Sequence, residues 1–383
     1  MKKILIVIFA ILLPCIGAQA GELNTEDDTY LENAIDGVEE YDFSDIQQFL
    51  DENVDSKNID FLNTAKRFIT GESTSVITEL FSDIKDKLLV EIDFNKGSIG
   101  KIIIIAIVSA FFTNFSMIFS GNNISETGFY ITYMLLITVL VSAFGVITSV
   151  AANVISMLLD FMKALVPTYF MAIGMTSGTV TAAAFYEIVL VMITGVNWLF
   201  LKVIIPAINI YVVLMLVNSI SKDDFLSRFA ELIETIVKWL SKSAMAAVLG
   251  VNIIQGMVLP SIDAMKNTTL GKVVSIIPGI GNSANAVTEI LLGSGRIIKN
   301  GIGVAALVVI IVMCLVPIIK LAVFTLMYQG TSALLQPITD KRILDCVSAV
   351  TTGTKLLLSS VVTATALFII TIAIVCVSTN IST

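Results

Sequence analysis

Apolar residues come in long runs in this chain, and the polar residues between them mark where the runs end. Ile102 to Phe119 and Phe129 to Val150 each approach the roughly 20 residues that cross a bilayer as helix. Between Val154 and Phe185 the apolar pattern is interrupted by Asp160, Lys163, Pro167, Gly174 and Gly178, which predicts a broken span. Ile188 to Val217 is apolar for 30 residues with Pro206 inside, as one kinked helix or two short ones. From Ser221 to Ser241 the pattern turns amphipathic, with Phe225, Phe229, Leu232, Ile233, Ile236 and Leu240 on one face. That segment is expected at an interface or against the bundle. Ser243 to Leu259, Ile302 to Tyr328 and Leu356 to Val377 complete the apolar runs. The fold class is all-α, a polytopic membrane helix bundle of six to eight spans, with re-entrant or broken helices and a short acidic helical segment before it.

The first 100 residues differ. Lys2 and Lys3 precede an apolar run from Ile4 to Leu13, and Ala18-Gln19-Ala20 offers a small-x-small site, so residues 1–20 read as a signal peptide. Residues 21–100 then form an acidic segment outside the cytoplasm, and 101–383 the membrane domain. From Glu22 to Asp55 low apolar content predicts a mobile, solvated arm. Leu62, Phe68 and Ile69 predict a short helix before Gly71, and Ile77, Leu80, Phe81, Ile84 and Leu88 share one face of another. Both are too short to bury a core alone and are expected to pack on the membrane domain or on another protein.

Composition agrees with this division. Of the 383 residues, 56 % are hydrophobic and 14 % charged, against about 25 % charged in soluble domains; mean hydropathy is +0.91. Residues 21–100 carry 20 acidic and 6 basic side chains, whereas 101–383 carry 11 and 15. Membrane lipid is an expected partner and nucleic acid is not. The four cysteines make no disulfide framework, since Cys15 falls in the signal segment and Cys314 and Cys376 in apolar runs, with only Cys346 near polar sequence. No metal or cofactor motif is present. The chain has no histidine, which excludes zinc-protease motifs and histidine proton relays. Gly279-Ile280-Gly281 before Ala284 imitates a dinucleotide fingerprint, but lacks the strand that motif requires. No catalytic residues are assigned.

A repeat is suggested by the prolines. Pro167 and Pro206 are 39 residues apart, as are Pro278 and Pro317, with a common offset of 111. "IIPAINIYV" overlies "LVPIIKLAV" at that offset, predicting units 160–260 and 271–378. The second unit leads with "SIIPGIGNSANAVTEILLGSGRIIKNGIG". Loosened backbone at membrane depth is tolerated where it is buried in protein or lines water, so Pro278, Gly279, Gly281, Asn282, Asn285, Gly293 and Gly295, with Pro167, Gly174 and Gly178, are candidate pathway-lining or gating residues. Close helix packing is the alternative use of such small residues. Glu187, Lys202, Asn209 and Lys320 are the candidate intramembrane polar groups, with Glu187 the natural counter-charge of Lys202.

In "IPGIGNSANAVTEILLGSGRIIKNGIG", "LVPIIKLAVFTLMYQGTSALLQPITDKRILDCVS" and "IAIVCVSTN" the chain resembles the stage III sporulation protein AE family of endospore-forming bacteria. The resemblance implies a mother-cell membrane protein, acting with other stage III sporulation proteins of the same operon and a forespore protein, Q. Together these form a multi-subunit, channel-like complex related to secretion systems, needed for forespore development and late forespore gene expression. It implies no catalytic residues. A self-contained transporter and a non-conducting scaffold are the alternatives left by the residues themselves.

Overall fold

The computed structural model describes residues 27–53, 59–72, 104, 122–177, 179–220, 225–274, 281–337 and 339–378; for 27–29, 122–129, 177, 179–181, 256–274, 281–291 and 378 the backbone alone is described. The described residues are helical or in turns, without a strand. Three short helices come first: α1 (Asp27–Val38), α2 (Ser44–Asn53) and α3 (Phe61–Ile69). Long helices follow: α4 (Asn122–Ser177), α5 (Thr179–Leu199), a π-turn (Phe200–Ile204), α6 (Ile205–Asn218), α7 (Ser227–Val274), α8 (Gly281–Leu335) and α9 (Lys341–Ser378). Five stretches among the described residues are long and apolar enough to cross a membrane: Tyr130–Thr176, Ala182–Asn218, Ser227–Gln255, Leu292–Leu335 and Lys341–Val377. The expected span at 102–119 and the amphipathic pattern at 77–88 lie outside the described residues.

Successive helices run in opposite directions. Gly174 faces Ala182 and Phe170 meets Phe185 with ring centroids 6.4 Å apart. Much further from the turn, Thr148 donates to Asn209 at 3.0 Å, so α4 and the α5–α6 helix form one antiparallel hairpin. Ser332 pairs with Ser348 at 3.1 Å, and Cys376 donates to Asn300 at 3.4 Å, which makes α8 and α9 a second hairpin. Asn252 of α7 donates to Thr371 of α9, 119 residues on, at 3.1 Å, and these two helices are parallel. Helix α9 lies in the middle, with most of its apolar residues from Ile343 to Cys376 buried. At Gly353 a Cβ would collide with Val212 and stand 3.0 Å from Phe144, so the missing side chain lets α9 lie against α6 and α4.

The helices are longer than sequence pattern suggested. Tyr130–Thr176 alone has 47 residues, about 70 Å of helix, against a hydrocarbon core of about 30 Å. Within the stretch expected to be broken, the helix is not interrupted at Pro167: α4 continues through it to Ser177, and α5 begins at Thr179 and runs back along α4. An interior proline removes one backbone hydrogen bond, a loss that neighbouring helices make tolerable in a bundle. Pro206 has a visible consequence: the turn just before it widens into the π-turn, closed by Ile205 N–H donating to the Phe200 carbonyl. Residues 227–241 of the amphipathic segment and the run after it join in one helix, α7.

The expected arm from Glu22 to Asp55 also differs from the structure. Residues 27–38 and 44–53 are helices, and Ala34, Val38, Ile46, Phe49 and Leu50 are buried. Phe49 stacks on Phe161 of α4 with centroids 5.6 Å apart, and the Asp42 carbonyl accepts from Thr168 at 2.9 Å. Acidic side chains keep the outer surface wet while a few apolar positions at helical spacing bind the inner one. The helix predicted before Gly71 is α3, and it packs on α8 as expected.

At offset 111 the α5–α6 helix with Pro206 and the following α7 overlie α8 with Pro317 and the following α9, and α7 and α9 are parallel. Of the leading segments, position 178 and residues 275–280 lie outside the described residues. The reversal after Ser177 maps at offset 111 into the uninterrupted interior of α8.

Candidate functional site

The first third of α8 carries the glycines of the sequence-predicted site. Position 293 abuts the Tyr30 ring, where a Cβ would come within 2.8 Å. At 295 a Cβ would lie 2.8 Å from the Thr176 methyl group. Gly301 sits against Ile69 at 2.5 Å, and Gly303 against the Tyr169 hydroxyl at 2.9 Å. From the other side, Gly37 of α1 faces Ile298 at 3.1 Å. These glycines therefore form a strip into which α1 and α3 press on one face and α4 on another; their small size serves close approach between helices. Pro278, Gly279 and Gly178 lie outside the described residues. Gly281, Asn282 and Asn285 are in the first turns of α8, a regular helix from its first residue. Pro167 and Gly174 line a shallow apolar groove between α4 and α5, together with Tyr186.

The polar candidates do not converge. Glu187 and Lys202 are both exposed, and they lie fifteen residues apart on one continuous helix, about 22 Å, too far for the expected ion pair. Asn209 accepts from Thr148, and Lys320 is half-buried.

Pattern reading missed two features. Lys299 is 0 % exposed, at the level where α8 meets Tyr169 and Cys376. Its neighbours Arg296 and Asn300 made the stretch look like surface; its i+4 relation to Gly295 and Gly303, both at close contacts, was the available signal. The second is a level shared by five lysines. Leu226 N–H donates to Asn218 at 2.8 Å at the α6–α7 turn, and Lys202 and Lys242 lie 16 residues either side of that pair. The 119-residue offset sets Lys355 beside Ile236, near Lys238, and the α8–α9 pairing sets Lys320 opposite residues 356–360. Lys238 pairs with Glu234. Lys242 and Lys355 form no ion pair among the described residues.

At the opposite end from α1–α3, the Tyr133 hydroxyl donates to the Leu216 carbonyl at 2.6 Å and lies 2.9 Å from Cys346 Sγ, tying α4, α6 and α9 together. Outside the spans, hydrogen bonds from Ser44, from its side chain first and then from its N–H at 2.9 Å, hold the Asp42 carboxylate below the usual aspartate range. Burial raises the Tyr41 hydroxyl above its usual value, and Glu40 adds to this.

Comparison with known proteins adds the identity of the site's context. The chain is similar to "Stage III sporulation protein AE" of Bacillus subtilis (strain 168), 21 % identical over 316 residues, which is 82 % of this chain and 79 % of the relative. No solved structure matches it. The sequence model of the family described as stage III sporulation protein AE matches residues 59–379, a stretch that runs from α3 to the end of α9 and includes the whole glycine strip. The chain belongs to the stage III sporulation protein AE family.

Proposed function

We infer that this sporulation membrane protein is a subunit of a transenvelope, secretion-like channel complex joining mother cell and forespore, in the mother-cell membrane around the forespore. The reading takes its sporulation role from the family. The single observation that carries the rest is the acidic cover: α1, α2 and α3 are fastened to one end of the helix bundle, and α2 turns Asp45, Asp51 and Glu52 outward. A fixed charged surface on the end of a membrane bundle is suited to docking partner subunits, which here would be other stage III sporulation proteins and the forespore protein Q. In this arrangement residues 21–100 lie outside the cytoplasm and the docked helices face the space between the two membranes.

The test is affinity purification of the tagged protein from sporulating cells, with Asp45→Lys, Asp51→Lys and Glu52→Lys introduced together. Partner recovery is expected to fall while membrane insertion is unchanged; undiminished recovery sinks the docking role. A second reading, a scaffold that conducts nothing, is favoured by the glycine strip, since Gly293, Gly295, Gly301 and Gly303 are all occupied by protein side chains. Passage of a small solute between the compartments, present with this protein and absent without it although the remaining complex assembles, separates the two.

A further inference from the structure

We propose that the cleft between α7 and α9 at the lysine level is a binding site for the phosphate group of an anionic phospholipid. The cleft has a volume of about 100 Å³. Its floor is apolar, made by Val237, Met245 and Leu356, and its rim carries Lys238, Lys242 and Ser359. Lys355 is one helical turn from Ser359 on the exposed face of α9.

Three observations favour a phosphate on a lipid. Positive charge is in excess, since Glu234 answers Lys238 while Lys242 and Lys355 have no acidic partner among the described residues. A donor is free as well: Ser360 and Thr363 donate to carbonyls of their own helix, at Leu356 and Ser359, but the exposed Ser359 hydroxyl makes no such bond. Last, both helices are candidate spans, and Trp239, next to the rim residue Lys238 in α7, is exposed. A soluble anion would gain from the lysines alone. A phospholipid also covers the apolar floor, and lysine side chains bury their methylene stems while extending the ammonium to such a headgroup. Lys202 and Lys320, at the same level on α5–α6 and α8, continue the cationic belt round the bundle.

Trp239 provides the probe. The full-length protein, with Trp198→Phe so that Trp239 is the single tryptophan, is reconstituted in phosphatidylcholine vesicles containing brominated phosphatidylglycerol or, separately, brominated phosphatidylcholine. Quenching of Trp239 should show a preference for phosphatidylglycerol of about tenfold or more, from two lysines worth about 1 kcal/mol each near anionic lipid. Lys242→Gln with Lys355→Gln should bring the two lipids close to parity, and Lys242→Arg with Lys355→Arg should keep the preference. Millimolar inorganic phosphate separates the two sources of the group. A preference that phosphate leaves unchanged assigns the site to lipid; displacement of the lipid by phosphate assigns the same site to a soluble phosphate compound. Equal quenching by both lipids in the unsubstituted protein, insensitive to phosphate, overturns the proposal.

Discussion

The glycine strip of α8 and the lysine belt lower in the bundle both depart from the composition of an ordinary lipid-facing helix, but the structure uses them differently. Along the strip each missing side chain is replaced by a neighbour's: Tyr30, Thr176, Ile69 and Tyr169 all stand within about 3 Å of where a Cβ would be. Along the belt the side chains are present and two of them remain without a counter-charge among the described residues. The difference teaches that backbone freedom and charge in an apolar chain carry distinct information. The glycines of the strip report a surface already filled by protein, and the two lysines without a counter-charge report one still open to a ligand.

Substitutions can break this contrast at either side. The largest effect is expected at Gly301, where a side chain meets Ile69 at 2.5 Å and the Ala65 carbonyl at 3.4 Å. Gly301→Leu should destabilise the docked state by about 3 kcal/mol or more and expose 27–72 to protease in intact membranes. Gly293→Ala presses only on the Tyr30 ring, so a smaller cost of about 1–2 kcal/mol is expected, with restoration by Tyr30→Ala in a double-mutant cycle. Asp60 caps α3 by accepting from Asn63 N–H at 2.9 Å, and Asp60→Ala should cost about 1 kcal/mol in thermal unfolding. Lys242→Gln should change stability by less than about 0.5 kcal/mol, since the side chain is exposed and has no ion-pair partner among the described residues; a large loss would place it among the structural residues and erase the contrast.

The smallest effect is in pH. Because the folded Asp42 carboxyl is held below its ordinary value, its contribution is present above the unfolded pKa, about 3.9, and is lost as pH falls through the folded value. Proteolysis of the α1–α2 region should therefore rise slightly below about pH 4, and Asp42→Asn should flatten that response.

Much of the membrane architecture was legible in the apolar runs, since their length and purity leave helix as the only ordinary solution. Their ends were harder to place. Pro167 reads as a break and is not one, because packing from α5 and the N-terminal helices supports the backbone around it. The region 27–53 reads as a loose arm because its mean composition is acidic, although Ile46, Phe49 and Leu50 already had the three- and four-residue spacing of a buried face. At the candidate site the glycines were visible in sequence but not their occupants, which come from residues more than a hundred positions away. Lys202 and Lys320 stood out because apolar sequence surrounds them. Lys238, Lys242 and Lys355 did not, and only the helix register brings all five to one level.

The central claim is that the acidic N-terminal helices are fastened to the glycine strip, and it is tested by the pair Ile69→Cys and Gly301→Cys in the full-length protein freed of its native cysteines. A Cβ at 301 lies 2.5 Å from Ile69 Cγ1, so mild oxidation in membranes should close an intramolecular disulfide in most molecules. The reference is a second protein with Gly303→Cys and Cys376 retained as its single native cysteine, where a Cβ at 303 is 3.5 Å from the Cys376 sulfur. A bridge at 303–376 without one at 69–301 would contradict the account, because the bundle would then be intact and its N-terminal helices elsewhere.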